Sequence, residues 1–182
     1  LRIGATIAEQ ALSVLKDVEC RNQQNFSVVQ KRVYVPILDY NYGSDLPSAL
    51  RRLIFRFKKC LFTAFAKLGV LKTNIFLNAE QIRTGRIQTI LQLIELGETM
   101  ALTTPGEYFL KLGNEVVEYA KQIDSSKKYW MIELANDAIG YLFTLDAYKE
   151  GGYESSFSLT PLGGRFIAAK LKAMLAEKLK NA

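Results

Sequence analysis

Histidine is absent from all 182 residues, and that absence excludes more than any residue present. His is the commonest metal ligand and the usual general base near neutral pH. Neither a self-contained Ser-His-Asp hydrolase nor a His-ligated zinc enzyme can therefore be built from this chain alone. Cysteine is nearly as scarce. Cys20 and Cys60 are the only two, too few and too far apart for a thiolate zinc site, which needs paired close spacings. Cys60 lies among Phe57, Leu61 and Phe62 and reads as a small buried apolar residue. Nothing in the sequence pairs it with Cys20, and the two do not fix a redox compartment. No run approaches the roughly 18–20 consecutive apolar residues of a membrane-spanning helix. There is no signal peptide and no initiator Met. The chain opens Leu1-Arg2-Ile3 within a helical pattern and is expected to be a piece of something longer, with any targeting signal upstream.

What is present is enough for one domain with a real core. The hydrophobic share of 49% and charged share of 23% are those of an ordinary globular protein. The net charge of +6 is concentrated rather than spread. Arg51, Arg52, Arg56, Lys58, Lys59 and Lys67 crowd one stretch, and Lys170, Lys172, Lys178 and Lys180 another. Such clusters suit an acidic partner, a lipid surface or a nucleic acid. No recognised motif accompanies the charge, so nucleic acid is not read from it.

Periodicity predicts a mixed α+β fold. Ile3, Ile7, Ala11, Val14 and Val18 form the apolar stripe of a helix over 3–18. Residues 26–38 alternate and end in β-branched residues around Pro36, which places the strand at an edge or ends it there. After a loop over 39–45, Leu46 to Leu68 predicts a second helix with apolar Leu46, Leu50, Leu53, Ile54, Phe57 and Leu61. Residues 70–84 read as loop with a short helix near 79–83. From Gly85, Ile87, Thr89, Leu91 and Leu93 alternate with Gln88, Ile90, Gln92 and Ile94. The Glu95-Leu96-Gly97-Glu98 turn then predicts a hairpin returning through Thr104. A helix from Glu107 to Gln122, a strand over 127–134, a Gly- and Tyr-rich loop over 136–159, and a last helix from Pro161 to Leu179 complete the chain. The expected sheet is mixed, with an antiparallel hairpin, flanked by helices. No repeat or domain boundary interrupts residues 1–182.

Two stretches carry candidate chemistry. Thr103-Thr104-Pro105-Gly106-Glu107 places a carboxylate where a strand gives way to a helix, and such junctions are where open α/β sheets put ligands. The plainer reading of Glu107 is an acid complementing the dipole of the helix it opens. Asn136-Asp137-Ala138-Ile139-Gly140-Tyr141, followed by Glu150-Gly151-Gly152-Tyr153-Glu154-Ser155, offers two tyrosines. Their plainer reading is amphipathic rings packed on the sheet.

Together these stretches resemble the neutral/alkaline ceramidases. The resemblance rests on Pro105-Gly106-Glu107, on Asn136-Asp137 followed by Gly140-Tyr141, and on Ala147-Tyr148 followed by Glu150-Gly151-Gly152-Tyr153-Glu154. It covers residues 85–180, more weakly upstream. It implies the C-terminal part of a catalytic domain that hydrolyses an N-acyl sphingosine or related lipid amide with one zinc ion. That family holds zinc with two histidines, a glutamate and a tyrosine. The resemblance implies Glu107 and Tyr141 as metal ligands, and Tyr153 as the group that stabilises the tetrahedral oxyanion. The two histidines, and the serine placed beside the metal, would lie in a missing N-terminal part. The fragment alone is then expected to be metal-poor and inactive. A secreted or periplasmic location is implied by the resemblance only. The competing reading is a non-catalytic module that uses the basic helix 46–68, with Phe55, Phe57 and Phe62, to bind a membrane surface.

Overall fold

β2, Arg86–Leu96, is organised by strict alternation: Ile87, Thr89, Leu91 and Leu93 are buried while the residues between them are not. This is the period of a pleated strand with one face on a core. A computed structural model of the chain describes residues 2–19, 25–36, 81, 84–158 and 162–180. β1, Phe26–Pro36, runs antiparallel to β2 from Phe26↔Leu96 to Pro36↔Arg86. β1 is an edge strand ending on Pro36, where the missing N–H costs no ladder bond inside the sheet. Leu96 pairs with Thr99, so Gly97 and Glu98 make a two-residue turn. Gly97 takes φ 56° there, as such turns demand. β3, Thr99–Thr103, completes the hairpin. β5, Lys128–Ile132, then adds beside β3 in parallel. The sheet order is β1-β2-β3-β5, a mixed sheet with an antiparallel hairpin, as the patterning predicts.

The parallel pair requires a crossover, supplied by α2, Leu110–Ile123. α2 and α5, Gly163–Lys180, pack on each other. α5 also lies on β1 and β2, and α2 on β5. Leu112, Val116 and Ala120 of α2 meet Ile167, Leu171, Met174 and Leu175 of α5 over Leu91, Leu93, Met100 and Leu102 of the sheet. The opposite sheet face presents Val28, Ile94, Ala101 and Trp130 in one cross-strand row, with Trp130 65% exposed. Among the described residues no helix is long and apolar enough to cross a membrane.

Three expectations are corrected. α1, Arg2–Leu15, forms from the 3.6-residue periodicity but buries no residue; Ile3 is 79% exposed and Ile7 61%. The stripe predicts the helix, not a covering for it. α2 begins at Leu110 rather than Glu107. Glu107 and Tyr108 are instead extended as β4, pairing in parallel with β6, Tyr141–Leu142. The span expected to be loop over 136–159 therefore holds β6, then α3, Leu145–Glu150, and α4, Tyr153–Ser156. Both cysteines, most of the segment expected to be irregular over 70–84, and the basic helix expected over 46–68 lie outside the described residues.

Candidate active site

β3 does not stop cleanly at Thr103. The Thr104 N–H donates to the Ile132 carbonyl (2.8 Å), and the Thr104 carbonyl accepts from Ala135 N–H (2.9 Å). The chain then bends through Pro105-Gly106 toward the segment leading into β6. The Ile139 N–H donates to the Pro105 carbonyl (2.8 Å), Glu107 N–H to Gly140 (3.2 Å) and Phe109 N–H to Leu142 (3.0 Å). These bonds extend Glu107 and delay the helix. A Cβ on Gly106 would lie 2.2 Å from the Gly140 carbonyl oxygen, so the two segments meet because residue 106 has no side chain. Below the bridge, the Tyr108 hydroxyl donates to the Gly164 carbonyl at the start of α5 (3.0 Å). Burial pushes that phenol well above its ordinary pKa.

The polar residues of the second stretch are anchors. The Thr89 hydroxyl donates to the Asp137 carboxylate (2.6 Å), and the Asn136 amide reaches Gln92 Oε1 (3.2 Å). Leu134 and Asn136 take φ of 50° and 71°, in the left-handed region that L-residues adopt sparingly. Held between β2 and Pro105, the segment delivers Gly140-Tyr141 beside Glu107. Gly140 has φ 85°, and a Cβ there would lie 2.2 Å from the Phe157 carbonyl oxygen. Gly140→Ala is expected to cost about 2–4 kcal/mol, because it combines backbone strain with a main-chain collision. An unchanged urea midpoint would show that this contact is not made.

The structure brings the three sequence-predicted residues together. Glu107 and Tyr141 are cross-strand partners of the β4–β6 bridge. Hydrogen bonding with the Glu107 carboxylate beside it, then desolvation, then the charge of Glu107, raise the Tyr141 pKa. The Tyr153 ring stands edge-on to Tyr141, with centroids 6.1 Å apart and planes at 77°. Its other neighbour is Phe157, at 4.6 Å. Tyr153 is 65% exposed, so its position is open to a ligand. Phe157 is missed by the motif reading, since an apolar residue at the C-cap of the short helix Tyr153–Ser156 carries no chemical signal.

The donor set tests the expected metal directly. Among the described residues no group of three His, Cys, Asp or Glu converges, and the chain has no His. Glu107 and Tyr141 do lie side by side as cross-strand partners, a carboxylate next to a protonated phenol. A divalent cation displaces such a proton when it binds. Two oxygen donors are fewer than the four ligands a zinc ion takes, so this pair by itself is not a zinc site.

The class defined is a mixed α/β chain in which a carboxylate and a phenol are cross-strand neighbours beside an exposed second phenol. No protein-family model and no curated protein matches the sequence. Among solved structures, the chain is similar in fold to the neutral ceramidase of Pseudomonas aeruginosa, with a TM-score of 0.53 at 12% identity, over 85% of this chain and 29% of that one. A second similar structure, a ceramidase complexed with C2, has a TM-score of 0.40 at 17% identity and covers 50% of this chain and 14% of its own. The chain thus spans 29% of the length of the Pseudomonas enzyme. The likeness over 85% of the chain is too long to be confined to residues 85–180, where the sequence resemblance is concentrated.

Proposed function

We propose that this chain is part of the catalytic domain of a zinc-dependent amide hydrolase of the neutral ceramidase kind, acting on an N-acyl sphingosine or a related lipid amide. The observation that carries the proposal is the convergence of Glu107, Tyr141 and Tyr153 from three separate segments onto one site. The fold likeness supports it independently of these side chains. Glu107 and Tyr141 would hold the metal, with two histidines from outside this chain. Bound zinc would supply Lewis acidity toward an amide carbonyl and its attacking water. In the chain's own chemistry, the β4–β6 pairing sets the Glu107 carboxylate beside the Tyr141 phenol, so that both oxygens would face one cation. The Tyr153 hydroxyl donates a hydrogen bond to the oxygen that gains charge as the amide carbon becomes tetrahedral. A neutral phenol suits that task, because it stabilises the charge without having to be ionised.

The test is Tyr153→Phe in the intact protein, followed by hydrolysis of an N-acyl sphingosine and by metal analysis. Turnover should fall roughly 100-fold, the usual effect of losing one oxyanion donor, with zinc content unchanged. Unchanged turnover would remove Tyr153 from the chemistry. The membrane-binding alternative rests on helix 46–68, outside the described residues, and no structural observation favours it.

A further inference from the structure

The main chain and the side chain of one residue reach both tyrosines of the site. The Phe157 carbonyl accepts from the Tyr141 N–H at 3.2 Å. Ser158 extends this hold, its hydroxyl donating to the Tyr141 carbonyl at 2.9 Å and its backbone forming an antiparallel bridge with Gly140. The Phe157 ring lies 4.6 Å from the Tyr153 ring, tilted by 41°. Phe157 also closes the short helix that presents Tyr153, its N–H donating to the Glu154 carbonyl at 3.1 Å. We infer that Phe157 is the positioning residue of the site, fixing the main chain of Tyr141 through its carbonyl and the ring of Tyr153 through its own ring. The inference deepens the proposed function and rests on its assignment of Tyr153.

The physical case concerns Tyr153 most. That side chain is 65% exposed and follows two glycines, Gly151 and Gly152, with φ of 79° and 102°. An exposed ring on such a turn has several rotamers open to it. Tyr141 limits it by an edge contact, and Phe157 by a closer one. Removing the second wall leaves the hydroxyl free to leave its position while the helix turn persists. Displacement of a donor by about 1 Å is enough to lower turnover steeply.

The test uses the intact protein in two measurements. In kinetics, Phe157→Ala should lower kcat roughly tenfold or more, with zinc content unchanged and KM within about twofold. Phe157→Tyr, which keeps the ring, should restore most of the loss. Combined with Tyr153→Phe, Phe157→Ala should add nothing, because it acts through the group already removed. Full additivity in this cycle, or an unaltered kcat, would overturn the inference. In fluorotyrosine-labelled protein, the Tyr153 resonance, identified by its loss in Tyr153→Phe, should shift in Phe157→Ala and stay near its position in Phe157→Tyr. A resonance that does not move overturns the inference as well. If Tyr153→Phe leaves turnover intact, the catalytic assignment of Tyr153 fails, and the resonance still decides whether Phe157 holds its ring.

Discussion

Replacing Glu107 by alanine in the intact protein is expected to remove zinc and hydrolysis together while leaving the fold in place. The separation is possible because Glu107 contributes to the fold through its main chain. Its N–H donates to Gly140 at 3.2 Å, and alanine keeps that bond. The side chain lies outside the apolar core, so the stability change should stay within about 0.5–1 kcal/mol. The carboxylate is what the change deletes. Without it, the largest cause of the raised Tyr141 pKa is removed. The remaining single oxygen donor holds a cation poorly. Loss of a supporting group around a metal costs roughly 10–100-fold in affinity, and loss of a ligand should cost more. Glu107→Gln sharpens the result, since the amide oxygen can still accept from Tyr141 but carries no charge to offset a cation. Both variants should lose metal by elemental analysis. Full zinc occupancy and turnover in Glu107→Ala would leave Glu107 as no more than a bridge residue.

The same residue shows how far the sequence could be read. β2 was legible because its alternation runs unbroken from Ile87 to Leu93, and one of its two faces, Ile87, Thr89, Leu91 and Leu93, is the buried one. The hairpin was legible because Gly97 is a local signal. The extended state of Glu107 was not, since it depends on hydrogen bonds to Gly140 and Leu142, distant in the chain. Local reading could see only Pro105-Gly106 followed by helix formers, and so started α2 three residues early. The parallel placement of β5 has the same non-local origin, because the strand pattern specifies a face but not a neighbour. Tyr141 and Tyr153 stood out as site residues only through a family resemblance, and their proximity is a product of folding. Asn136 and Asp137, equally prominent in that resemblance, anchor the segment to β2. Phe157 carried no chemical signal at all.

Stability should fall in acid below about pH 4.5, where the loss is traceable to Glu95. This carboxylate receives Lys127 Nζ at 2.5 Å on one oxygen and Lys178 Nζ at 2.7 Å on the other. The Ser27 hydroxyl donates to the second oxygen at 2.9 Å. The three charged side chains are only 15–19% exposed, so solvent screens them less than an ordinary surface pair. One carboxylate thereby joins β1, the end of β2, the approach to β5 and the last turn of α5. The hydrogen bond from Lys127, then that from Lys178, hold its pKa at about 2, against 4.5 as the ordinary value. Because the folded pKa is the lower one, the unfolded chain takes up the proton first as pH falls. The stabilisation is therefore complete above about pH 4.5 and lost progressively toward pH 2. A shift of this size is worth about 2–3 kcal/mol at neutral pH. Glu95→Gln should cost at least that much at pH 7, because it leaves two half-buried ammonium groups facing each other without a counter-charge. It should also flatten the acid limb, since the group that titrates is gone. Urea unfolding of both proteins across this pH range measures the two effects separately. A variant within about 0.5 kcal/mol of the parent at pH 7, or with the same acid limb, would mean that Lys127 and Lys178 are held by packing rather than by Glu95.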